Sequence, residues 1–187
     1  MRLIFVLPVM LFCSCTQQRF TKSVEQFMGN RISISADWNA YYKGKDTLLS
    51  DFVNIPIKLM VWYDSLGCIS CNANKMYMWG NIANYADSMA QWFNIIFLFT
   101  PKTGDIQEVI TAFSRERFDY PVFLDSDGSF IKQNKDLPKN QQLHSFLLDK
   151  NNRVVLVGNP LYNPALWALY KRTIQEMIDN DGVLPDR

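Results

Sequence analysis

The sequence predicts one α/β domain built on a central mixed β-sheet flanked by helices, preceded by an N-terminal extension. Three observations predict it. From residue 55 onward, dense apolar runs of strand length alternate with amphipathic stripes of helical period, the pattern of crossover units and a partly parallel sheet. Near the C-terminus two short apolar runs flank Lys150-Asn151-Asn152, a hairpin signal that adds antiparallel strands to that sheet. The length of 187 residues suffices for a single well-formed core and is short for two ordinary domains.

The elements follow in order. Residues 20–48 read as an arm: a short amphipathic piece carrying Val24, Phe27 and Met28, a stop at Gly29-Asn30, a short strand over 31–35, and a turn over 41–46. Residues 55–63 form the first central strand, and residues 71–91 a helix with Met76, Trp79, Ala83, Ala86 and Ala90 on its apolar stripe. A second buried strand occupies 93–99. Pro101-Lys102-Thr103-Gly104 breaks the chain before a helix over 105–117 that faces the core with Ile106, Val109, Ile110 and Phe113. A third strand over 120–124 ends at Asp125-Ser126-Asp127-Gly128, and the hairpin strands cover 145–149 and 153–157. The last helix, over 164–180, places Leu166, Leu169, Tyr170, Ile174, Met177 and Ile178 at core spacing. Trp62, Trp79, Trp92 and Trp167 read as core residues.

Composition narrows the function classes. Hydrophobic residues make up 48% and charged residues 20%, a globular balance. The formal net charge is +1 and no block of like charge occurs, which argues against a nucleic-acid partner.

The N-terminus reads as a targeting segment. Met1-Arg2 is followed by an apolar run over residues 3–12, the length of a secretory h-region and too short to span a bilayer. The run leads into Leu11-Phe12-Cys13-Ser14-Cys15, which resembles a bacterial lipobox with Phe12 in place of the usual aliphatic residue. Cleavage before Cys15 would leave it as a lipidated first residue. With no acidic cluster in residues 16–21, the expected location is the periplasm, anchored by lipid to the envelope membrane. The organisation is then leader 1–15, N-terminal arm 16–48 and main domain 49–187.

That leader claims two of the four cysteines and leaves Cys68 and Cys71 in the mature chain. Two thiols three residues apart in an oxidising compartment form a disulfide unless something reduces them. Their place, after an apolar strand and at the start of a helix, suits redox exchange. Unpaired N–H groups and the helix dipole stabilise a thiolate at Cys68, lowering its pKa from about 8.5 toward 7 or below. Cys68 is the expected nucleophile. Cys71, one turn on and expected to be sheltered, resolves the mixed disulfide. Two cysteines and His144 fall short of the four ligands of a structural zinc site, so no metal and no cofactor are expected.

Residues 57–71 (IKLMVWYDSLGCISC) resemble the strand, loop and C-x-x-C of the thioredoxin-like redoxin family, which includes membrane-tethered bacterial thiol:disulfide oxidoreductases. Residues 120–128 resemble that family's third-strand segment and residues 145–155 its penultimate hairpin, so the likeness spans about 55–180. It implies a thioredoxin-like fold and protein thiols or disulfides as partners. It also implies a substrate-binding rim at Gly67, Leu143 and His144. Leu143 stands where the family carries a cis-proline, and Gly67 where a Trp commonly precedes the first cysteine. Residues 59–62 offer no acid beneath the dithiol, and Asp64 is expected on the loop. Two other readings stay open. One is a non-catalytic binding module on the same fold. The other is a peroxiredoxin-type peroxidase, because Ser65 lies three residues before Cys68 although Val61 replaces the upstream Pro.

Overall fold

The computed structural model describes residues 10–35, 37–42, 45–47, 50–115 and 118–185. Its elements are α1 (Met10–Phe27), β1 (Asn39–Tyr42), β2 (Lys45–Thr47), β3 (Ile57–Tyr63), α2 (Ile69–Ala73), α3 (Gly80–Ser88), β4 (Phe93–Phe99), α4 (Ile106–Arg115), β5 (Val122–Leu124), α5 (Ser129–Gln133), β6 (Ser145–Leu148), β7 (Val154–Val157) and α6 (Pro164–Asp179). They form one seven-stranded sheet in the order β2-β1-β5-β4-β3-β6-β7. Pairs β3–β4 and β4–β5 are parallel, while β3–β6, β6–β7, β1–β5 and β1–β2 are antiparallel, so the sheet is mixed as expected.

The near-continuous apolarity of β3 and β4 follows from burial on both sheet faces. Strand alternation divides their side chains. Ile57, Leu59, Val61, Phe93, Ile95, Phe97 and Phe99 meet the helices, where Trp79, Ile82, Ala83, Val109, Phe113, Tyr170, Ile174 and Met177 cover them. Met60, Trp62, Ile96 and Leu98 turn to the opposite face with Phe146, Leu148 and Phe123, under Phe27, Ile32, Trp38, Val53 and Phe130. The arm's apolar residues thus close the second face. At the amino end of β3, Lys58 is only 3% exposed, with Nζ donating to the carbonyls of Ile55 at 2.7 Å and Pro56 at 3.2 Å.

Several elements differ from expectation. The helix over 71–91 is divided: α2 stops at Ala73, a 3-10 turn covers Met76–Trp79, and α3 begins at Gly80. Asn72, Asn74 and Gly80 are weak helix formers, and Lys75 leaves helical geometry at φ −110° and ψ 8°. Met76, Trp79, Ala83 and Ala86 are buried as predicted, whereas Ala90 is exposed. The strand over 31–35 shrinks to an isolated bridge between Arg31 and Arg153. The segment around the predicted turn supplies two strands, β1 and β2, and β1 pairs with β5. The short α5 was not expected. It exists because Asp125 accepts bonds from the Ser129 and Phe130 amides at 2.9 and 3.1 Å. Residues 1–9 of the leader lie outside the described residues, as does the side chain of Cys15.

Candidate active site

The carboxyl end of β3 delivers the chain to the two cysteines. Tyr63 closes the strand, and its hydroxyl accepts a bond from Trp79 Nε1 at 3.1 Å, tying the segment after α2 back to the sheet. Burial pushes the Tyr63 hydroxyl pKa up to about 12, so it stays protonated. Asp64 to Gly67 then lead to Cys68, which caps α2 with extended backbone (φ −73°, ψ 92°) while its carbonyl accepts from the Asn72 amide at 3.2 Å. Cys68 and Cys71 are joined as a disulfide with Cα atoms 5.2 Å apart. Cys68 Sγ lies 3.9 Å from Ser70 Oγ.

Both cysteines are exposed, which corrects the expectation that Cys71 is sheltered. The reason is the short helix itself. Ile69 and Ala73, four apart, are the buried residues of α2. At about 100° per residue, Cys71 midway between them points about 180° from their common direction, away from the core. The same spacing could have signalled this in the sequence.

Asp64 adds a buried carboxylate to the site. It stands on the loop as expected, the first residue past β3, but it is buried there at 8% exposure. Its Oδ1 accepts from Gln141 Nε2 at 2.6 Å and from the Leu66 amide at 3.1 Å. Its Oδ2 faces His144 Nδ1 at 3.8 Å. The alternation of β3 explains the placement, because Asp64 falls on the same side as Trp62, whose ring stacks on His144 at 4.1 Å between centroids. His144 Nε2 lies 2.8 Å from the Pro138 carbonyl, an acceptor, so Nε2 carries the proton and the neutral ring leaves Nδ1 facing Asp64. Burial lowers the His144 pKa, against the opposing pull of the Pro138 bond and of Asp64.

These groups line a cavity of about 160 Å³ with Gly67, Asn72, Ser145 and Asn159. Gly67 itself is exposed beside the Gln141 amide: a β-carbon there would stand 3.6 Å from Nε2. The three rim residues therefore have different settings. Gly67 reaches solvent, His144 lines the cavity, and Leu143 is fully buried at the end of a 3-10 turn. Gln141 and the buried Asp64 are members of the site that sequence reasoning passed over. Asp64 was recoverable from strand alternation, whereas the pairing of Gln141 with it crosses 77 residues and has no local signal. Among the described residues, no group of three or more His, Cys, Asp or Glu side chains is gathered as a metal site would require.

Chemically, an exposed disulfide accepts a thiolate. Attack forms a new S–S bond to one cysteine and expels the other as thiolate, and a second partner thiol then completes oxidation of the partner dithiol; the reverse sequence, starting from the reduced pair, reduces a partner disulfide.

Neither a protein-family profile nor a curated protein sequence matches the chain. Solved structures do. A Chlorobium tepidum protein provisionally designated thiol:disulfide interchange protein DsbE is 18% identical with a TM-score of 0.50, over 79% of this chain and 97% of that one. A thioredoxin-like protein solved in its oxidised form is 13% identical with a TM-score of 0.50, over 80% and 97% respectively. Likeness at these identities speaks for architecture, and the exposed disulfide at the start of α2 is this chain's own: it is a protein of the thioredoxin-like fold.

Proposed function

We propose that the chain exchanges disulfides with the thiols of partner proteins through Cys68 and Cys71, outside the cytoplasm and tethered to the envelope membrane by lipid on Cys15. The carrying observation is the exposed Cys68–Cys71 disulfide at the end of a central strand. Leu66, 78% exposed two residues before Cys68, supports a polypeptide partner, since a large apolar side chain in water beside a reactive bond offers contact area to one. Gln141, on the turn before β6, lies beside Gly67 of the same loop as Leu66. Within this reading Asp64, Gln141 and His144 are positioning residues that hold the loop before Cys68 against the turn before β6.

The test is reduction of insulin by a dithiol reductant, with purified wild-type protein against Cys68→Ser. Acceleration by the wild type alone is expected; equal background rates in both would overturn the catalytic reading. The outcome would then favour a non-catalytic binding module, the reading to which a buried Leu143 at the cis-proline position lends support. The anchor is tested separately: Cys15→Ala should abolish incorporation of labelled fatty acid in cells.

A further inference from the structure

We propose that the oxidised pair is open at both sulfurs, so that an incoming thiolate attacks Cys71 as well as Cys68. The inference rests on the thiol-exchange reading and deepens it, by replacing a sheltered resolving residue with a second point of attack. Three observations carry it. Cys71 is exposed, as Cys68 is. The core-facing pair of α2 is Ile69 and Ala73, which turns Cys71 outward by helix geometry rather than by the rotamer of one side chain. The helix then ends at Ala73, and the next residues, Asn74 and Lys75, are exposed as well, so neither packs down over that side.

The step balances in either sense. A partner thiolate forms a bond to Cys71 Sγ, the Cys68–Cys71 bond breaks, and Cys68 leaves as the thiolate. Cys68 then attacks the mixed disulfide at Cys71 and returns the partner as thiolate, or a second partner thiol releases the first as a partner disulfide and leaves the pair reduced. Exchange rates depend on which sulfur is reached and on how well the other leaves. Residue exposure therefore does not separate Cys71 from Cys68 as a point of attack. A partner can consequently dock from the Leu66–Gly67 side or from the outer face of α2.

Single-thiol proteins test this directly. In a Cys13→Ser/Cys15→Ser background, Cys71→Ser leaves only Cys68 and Cys68→Ser leaves only Cys71. Each folded protein is mixed with glutathione disulfide, and formation of the glutathione adduct is followed by mass. The same reaction in urea supplies the unprotected rate. The expected result is adduct on both, with the Cys71 thiol of the folded protein within about tenfold of its own rate in urea. In a second arm, oxidised protein keeping both cysteines is treated with glutathione and trapped by rapid alkylation; peptide mapping should find the glutathione on Cys71 in part of the molecules and alkylated Cys68 in the same ones. If Cys68 reacts in the folded protein and Cys71 reacts only in urea, the two-sided opening is wrong and thiol exchange stands. If neither thiol reacts until the protein is unfolded, both readings fall.

Discussion

The two ends of β3 bury polar groups in opposite ways. At the amino end, Lys58 is enclosed, its ammonium satisfied by the Ile55 and Pro56 carbonyls with Asp149 as the nearby countercharge. Burial still holds its pKa down to about 8, so the charged form is costly there. At the carboxyl end, Asp64 and His144 are buried too, but they line a cavity whose wall includes Asn72 and exposed Gly67, the chain neighbours of Cys71 and Cys68. One end is a closed structural lock. The other keeps polar groups beside open chemistry, and one strand supplies both because alternation and length fix where its ends emerge.

The largest effect should come from breaking the lock. Lys58→Glu places a carboxylate among carbonyl oxygens and near Asp149, and should cost about 3–5 kcal/mol in denaturant unfolding. Lys58→Met keeps the buried stem but leaves the Ile55 and Pro56 carbonyls without their donor, and should cost less, about 1–3 kcal/mol. The pH dependence of stability separates the two. Because the folded pKa is about 8 against 10.5, the unfolded chain binds more protons between those values, and wild-type stability should rise with pH across that window. Lys58→Met should lose this rise.

At the other end, Asp64→Ala strands the Gln141 amide and the Leu66 N–H and should cost about 1–3 kcal/mol. Asp64→Asn, which keeps the acceptor, should cost less, and calorimetry of the three proteins orders them. A smaller change is expected from His144→Gln. The folded pKa of His144 lies below 6.5, so stability should fall as pH drops below that value, and the substitution should flatten this acid limb in unfolding curves. Smallest is Gly67→Ala. Its β-carbon meets Gln141 at ordinary contact distance, so stability should stay within about 0.5 kcal/mol, while insulin reduction reports whether an open Gly67 matters to the approach of a partner.

Much of this is legible in the amino-acid sequence. Residues 93–99 are strand and 164–179 are helix as read, and the hairpin around residues 150–152 is present, because each carries its own period and turn chemistry. The 71–91 helix misled because its apolar stripe survives in a chain that breaks twice; periodicity reports which side is buried, not whether the hydrogen bonds continue. The pair β1–β2 has no clear local signal, since β1 depends on β5, more than seventy residues away, to join the sheet.

The sequence by itself determined the α/β class, the central strands and the position of Cys68 and Cys71 after one of them, because apolar period and thiol spacing are local properties. Only the tertiary structure decided that the sheet claims the side of α2 that bears Ile69 and Ala73, and that Asp64 meets Gln141 and His144. Exposure is set by which side of a short helix the sheet claims, and a carboxylate's surroundings by loops that meet only when the chain has folded.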